Sequence, residues 1–297
     1  MNPHLAMLAG AALIGTAAIF VNLTSVAPTV AAFWRVGFGA ILLLLWNFGG
    51  RRGRLRVSAR GQWWLFLAAV FFALDLWFWH RAIRYLGPGL ATLMANLQVF
   101  GMAFAGALIY RERLGLRFLL GLALAVAGMW LLVGRGWSAL SVEIHTGVAL
   151  GLATALVYVG YLLSMQVAQR LPGGPRPESS VLWICLWTMP MFAALALAEG
   201  SRLGIPGLRD FLVLLAYGAI AQVAGWLLIA RAMVALSASR VGLMLLVQPT
   251  VAYLLGVLVF GKPLGWIEVL GVALSLGGIF LGRAGPRISA LDRAIAK

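Results

Sequence analysis

The chain has 297 residues, of which 63% are hydrophobic and 10% charged, with a formal net charge of +15 and a mean hydropathy of +0.98. That apolar content exceeds what one soluble core can enclose, so the chain belongs in a bilayer. Its basic residues lie scattered between apolar runs, without the concentrated basic face that phosphate binding needs, which argues against nucleic acid as a partner.

A helix needs about 20 apolar residues to cross the hydrocarbon, and the punctuation of the sequence marks ten such runs: 5–24, 28–48, 62–83, 88–109, 115–134, 146–168, 179–199, 209–232, 238–260 and 264–283. The expected fold class is an all-α polytopic membrane protein with ten transmembrane helices. The first residues, MNPHLAML, carry no Lys or Arg and no cleavage-like end to the apolar run, so the first span is expected to be retained. Pro28, Pro88, Pro206 and Pro263 stand at starts or connections, where a missing N–H costs little.

Arg81 to Leu132 occurs twice. Shifted by 150 positions, RAIRYLGPGLATLMANLQVF lies over RAMVALSASRVGLMLLVQPT without a gap, and Gln98, Gly106, Gly115, Gly121 and Gly128 each meet the same residue in the second copy. This reads as a duplicated unit: one five-helix repeat over 1–134, a second over 146–283, and a cytoplasmic tail over 284–297. Lys and Arg fix the orientation. With the N-terminus cytoplasmic, sixteen fall inside and six outside, with Arg35 within a span, so both termini are expected in the cytoplasm of a cell with a bacterial-type inner membrane. Five spans per copy is odd, so the second copy enters the membrane inverted. Inverted repeats are a transporter device, with the site at the repeat interface near the midplane.

Ile109-Tyr110-Arg111-Glu112-Arg113-Leu114 followed by Gly121 and Gly128, with Gln248-Pro249, Gly261-Lys262-Pro263-Leu264 and the run from Gly271 to Gly278 in the second copy, resembles the EamA branch of the drug/metabolite transporter superfamily. The chain departs from that pattern at Val99, where the second copy has Pro249, and at Lys262, where the family carries an acid. The resemblance implies a ten-helix carrier of small organic metabolites, often directed outward. Within the superfamily, the Trp-rich and Tyr-bearing central helices look most like aromatic amino acid exporters of the YddG type. The expected function is export of small amphipathic metabolites, aromatic amino acids first, by alternating access. The alternative is a broad-specificity drug or amine exporter.

Charge inside hydrocarbon is costly, so Arg35 and Asp75 are the first candidates. Each falls about seven or eight residues from the outer end of its span, roughly 11 to 12 Å deep, so they can meet. Two readings follow: a structural ion pair, or Arg35 facing a substrate carboxylate while Asp75 faces an ammonium or takes up a proton. Phe72, Asp75 and Trp79 share one helix face. Trp79, Tyr158, Tyr161 and Trp187, which pairs with Trp183 at i, i+4, could stack on an apolar or aromatic substrate. Trp63, Trp64 and Trp77 read as interfacial anchors. Gln98 and Gln248 occupy equivalent repeat positions, with Asn96 beside the first, and Gln222 lies midway along its span. Such amides either bridge helices or bind ligand.

Other chemistries find no support. Cys185 is the only cysteine, and His4, His80 and His145 are dispersed, so neither disulfide nor metal site is expected. No HExxH, Ser/His/Asp set or GxxxxGK[ST] loop is present, so neither intramembrane enzymology nor direct ATP use is expected, and no cofactor is implied. The expected partners are a small-molecule substrate and lipid. The basic loop from Arg51 to Arg60 would meet anionic headgroups, and no obligatory protein partner is inferred.

Overall fold

The structure, a computed structural model, describes residues 1–48, 56–133, 142–260 and 265–282. The expected tail at 284–297, most of the basic loop, Arg135, Lys262 and Pro263 lie outside the described residues. All regular structure among the described residues is helical, the form in which a chain in lipid satisfies its own backbone.

The first half comprises α1 (Pro3–Gly15), α2 (Ala17–Leu23), α3 (Pro28–Phe48), α4 (Ala59–Asn96), α5 (Gln98–Leu108) and α6 (Leu116–Val133). The second comprises α7 (Val142–Arg170), α8 (Pro177–Ala198), α9 (Leu208–Tyr217), a π-helical stretch at Gly218–Gly225, α10 (Trp226–Met233), α11 (Ala238–Met244), α12 (Val247–Phe260) and α13 (Trp266–Gly282). Among the described residues eight runs are long and apolar enough to cross a bilayer, against the ten expected from sequence. At the other two expected positions lie shorter apolar helices, Leu116–Leu131 and Val269–Gly282.

Local chemistry explains several boundaries. Asn2 caps α1 by accepting from the His4 N–H at 2.9 Å, Ser58 caps α4 by accepting from Gly61, and Pro3 and Pro177 occupy first turns, where the missing N–H is not needed. At the end of α8, Gly200 takes φ +69, the Gly200 N–H reaches the Leu197 carbonyl at 3.0 Å and the Ser201 N–H reaches Ala196 at 2.8 Å. This glycine-terminated cap presents Glu199 at the helix end.

A straight 38-residue α4 would run about 57 Å, nearly twice the hydrocarbon thickness. Its contacts show that it doubles back. Phe71 lies against Gly160, and Tyr85 and Leu86 against Gly147, so this part runs antiparallel to α7; Met94 then lies against Gly151 and Gly101 against Val159, so the continuation runs parallel to it. The reversal falls between Leu86 and Ala91, around the Pro88 that sequence reading marks as a connection.

Helices approach closely where glycine removes the side chain. A Cβ on Gly121 would lie 2.6 Å from the Gly278 carbonyl oxygen, and one on Gly128 would lie 2.5 Å from that of Gly271, so α6 and α13 run antiparallel with backbones nearly touching. Polar groups gather at the two ends of the bundle. At one end, Glu112 of the first half accepts from the Ala238 N–H at 2.8 Å, the Ser239 N–H at 3.2 Å and the Ser239 hydroxyl, and Arg170 donates to the Leu236 carbonyl at 2.6 Å. At the other end, Glu199 of the second half accepts from Thr29 at 2.7 Å, Trp77 at 3.1 Å and Arg81. There too Asp210 accepts from the Thr24 and Ser25 hydroxyls, both at 2.8 Å.

Candidate functional site

Between these ends the bundle holds a cleft with about 520 Å³ of atom-free space, its open mouth included. Both halves build it: α1 and α2 give small residues such as Gly15 and Ala18, α3 gives Arg35, α4 gives Phe72, Asp75, Leu76, Trp79, Thr92 and Asn96, and the second half gives Thr154, Tyr158, Trp226 and Gln248. This mix, apolar walls with a few polar groups, is the lining of a small-molecule site.

The apolar wall is a cluster of rings. Tyr161 stacks on Phe72 at 4.6 Å and meets Trp226 edge-on at 4.7 Å; Trp226 also stands edge-on to Phe72 at 5.8 Å and to Tyr158 at 6.3 Å. Offset and edge-to-face pairs each add about 0.5–1.5 kcal/mol beyond burial, so the wall is a fixed surface. Gln248 donates to the Tyr158 hydroxyl at 3.0 Å, which leaves that O–H free to donate.

Two ionisable side chains, Arg35 and Asp75, line the cleft without a hydrogen bond or ion pair between them. Arg35, 2% exposed, donates from Nε to Gln222 Oε1 at 2.8 Å and from Nη1 to the Tyr217 hydroxyl at 3.0 Å. Its guanidinium carbon lies 4.9 Å from the Tyr217 ring centroid and 5.4 Å from that of Phe72. Asp75 is 8% exposed, lines the cleft and has no hydrogen-bond or ion-pair partner among the described residues. Of the two sequence-level readings, the structural ion pair is absent from this conformation. Arg35 has neutral partners instead, Gln222 on Nε and Tyr217 on Nη1.

The structure brings Asp75, Trp79, Tyr158 and Gln248 to the cleft. Tyr161 stands behind them in the ring cluster, and Gln222 acts on Arg35 from outside the lining. Gln98 lies elsewhere, donating to the Gly242 carbonyl at 3.2 Å as a bridge between α5 and α11. Trp187 is on the bundle surface, 37% exposed, donating to Gln62 at 3.3 Å beside Trp183 and Phe66. Trp226 is the wall residue that sequence reading does not single out. One signal could have found it: it stands 150 positions after Leu76, the residue next to Asp75. Among the described residues no three His, Cys, Asp or Glu side chains gather as metal ligands.

A helical membrane bundle with a ring-lined cleft between its halves is the architecture of a multi-pass transporter. The chain belongs to the EamA-like transporter family, whose model matches residues 1–134 and 145–282. It is 28% identical to an "Uncharacterized transporter YwfM" of Bacillus subtilis over 85% of this chain and 82% of that one. It is 26% identical to a "Probable amino-acid metabolite efflux pump" of Salmonella typhimurium over 70% and 71%. An "Uncharacterized transporter" of Haemophilus influenzae is 28% identical over 36% of each chain, so the match spans about a third of that relative. A crystal structure superposes with a TM-score of 0.79 over 94% of this chain and 96% of the other at 19% identity, a likeness of fold.

Proposed function

We propose that the chain is a secondary carrier of the inner membrane that exports small amphipathic metabolites, aromatic amino acids first, by alternating access between two inverted five-helix halves with both termini in the cytoplasm. The observation that carries this reading is the cleft itself: stacked rings beside an acid, Asp75, without a hydrogen-bond partner among the described residues, and a cation, Arg35, whose hydrogen-bond partners are neutral. Unpaired charges in hydrocarbon are costly, and a dipolar aromatic solute would satisfy both while its ring lies on Tyr158 and Trp226. The Salmonella typhimurium relative, a probable amino-acid metabolite efflux pump, supports outward transport of a small amino-acid-like solute.

Helix pairing supports the inverted arrangement. Gly121 meets Gly278 and Gly128 meets Gly271, and exchanging the two copies at an offset of 150 turns one contact into the other. Gly10 and Gly160 are related by the same offset, and each lies against a helix of the other half. Ten crossings then follow if the two shorter apolar helices also span.

The test is counterflow in proteoliposomes with labelled phenylalanine, tyrosine and tryptophan beside aliphatic and acidic amino acids. Saturable exchange of the aromatic set is expected; exchange of other solutes alone overturns the substrate. Asp75 also favours a second reading, a drug or amine exporter, since an unpaired acid attracts any organic cation. Resistance profiles of cells expressing the chain, set beside the counterflow panel, separate the two.

A further inference from the structure

We infer that the π-helical stretch Gly218–Gly225 is a mount for Arg35, and that Gln222 and Tyr217 are positioning residues that make Arg35 the reader of a carboxylate on the substrate. This rests on the proposal that the cleft binds substrate.

Arginine has five N–H donors in a planar fork and no acceptor. Here Nε and Nη1 are taken by Gln222 and Tyr217, while Nη2 has no partner among the described residues. Both partners are neutral, so they orient the guanidinium without cancelling its charge. The Tyr217 and Phe72 rings beside it favour a cation in the same way. The outcome is a fixed positive charge with neutral hydrogen-bond partners at a ring-lined cleft, with one nitrogen unused. A carboxylate is the anion that arginine binds best in such a place, through short charge-assisted bonds.

The backbone explains why both partners reach Arg35. Five positions along an α-helix turn a side chain about 140° past its starting direction, which would point Gln222 away from Tyr217. In a π-helical turn, closed by i→i+5 bonds, residues five apart come toward one face. The stretch is also locked. A Cβ on Gly218 would lie 2.7 Å from the Phe38 Cβ, and one on Gly39 only 2.6 Å from the Gln222 Cγ, so α3 and the stretch are pressed together. On its far side the Gln222 amide donates to Cys185 Sγ at 3.3 Å. Turns of this kind are rare and frequently lie at functional sites.

The experiment compares L-phenylalanine with L-phenylalaninamide, which keeps the ammonium and ring and loses the carboxylate. Binding is measured by thermal protection of the purified full chain, and transport by competition in counterflow. Wild type is expected to prefer phenylalanine. In Gln222→Leu that preference should shrink about tenfold with the amide's binding unchanged, and in Gln222→Glu it should vanish, because the new carboxylate neutralises Arg35. Equal weakening of both ligands in Gln222→Leu would mean that Gln222 only holds the fold and would overturn the inference, as would equal binding of both ligands by wild type. Phenylacetate and benzyl alcohol extend the comparison beyond amino acids. Gln222-dependent preference for phenylacetate without any exchange of aromatic amino acids would leave Arg35 as the carboxylate reader and remove the proposed substrate. Binding of neither carboxylate would remove the inference.

Discussion

Asp75 is a carboxylate whose removal should separate function from stability. A buried ionisable group with partners costs stability when it is mutated, because the partners are left unsatisfied. Asp75 has none among the described residues. We therefore expect Asp75→Asn to unfold in detergent at a temperature no lower than wild type, while its affinity for an ammonium-bearing substrate falls about 10- to 100-fold, the usual worth of a bond to a charged group. An Asn variant that binds as well as wild type would show that the acid has no part in recognition. Arg35 and Asp75 were legible in sequence because charge is rare in hydrocarbon, and Tyr158 and Gln248 because polar side chains on an apolar helix stand out. Trp226 was not, since in a chain with 12 Trp most are expected to sit at the membrane interface. Gln98 and Gln248 look equivalent in sequence yet separate in space, because which face a residue presents depends on neighbouring helices as much as on its own register.

Helix packing supplies a sharper test of the glycines than their number does. At Gly128 a Cβ would lie 2.3 Å from the Ser275 nitrogen, whereas at Gly277, on the partner helix, nothing lies within 4 Å of one. Gly128→Ala should destabilise by about 1–3 kcal/mol through overpacking, while Gly277→Ala should be neutral or stabilising by up to about 1 kcal/mol through helix propensity; thermal unfolding of the pair decides it. The break at Pro88 was plain in the sequence and persists as a reversal inside α4. The π-helical stretch was not legible, because Gly-Ala-Ile-Ala-Gln-Val-Ala-Gly reads as ordinary apolar helix and its widened turn is set by packing against Gly39 and Phe38. At the end of α8, Glu199 ties that helix to α3 and α4. Burial opposes its ionisation, but hydrogen bonds from Thr29 and Trp77 and the Arg81 charge outweigh that and hold the carboxyl below its ordinary value of 4.5. A depressed value stabilises the fold above pH 4.5, and the contribution is lost as pH falls through the folded-state value. The unfolding midpoint should therefore drop on acidification below that point, and Glu199→Gln should flatten this part of the profile.

The ties at the two ends join opposite halves: Glu112 of the first reaches α11 of the second, while Glu199 and Asp210 of the second reach α2–α3 and α4 of the first. A carrier that exposes one site alternately to each side must break one set while keeping the other. The described conformation has both sets made, so neither end can open without losing hydrogen bonds to a carboxylate. Under the alternating access proposed above, that loss is a barrier at each end which ligand binding would help the bundle cross. Two cysteine pairs test the scheme, Glu112→Cys with Ser239→Cys at one end and Thr29→Cys with Glu199→Cys at the other, in a chain whose single native cysteine is buried. Joined by a short bifunctional thiol reagent with a reducible link, each pair should stop counterflow, and reduction should restore it to the level of the uncrosslinked double variant. That recovery separates the effect of the tether from the effect of losing the carboxylate. Exchange that continues at the uncrosslinked rate with either tether in place would mean that the halves do not part at that end, and with both in place that the solute crosses without the rocking that two such halves would allow.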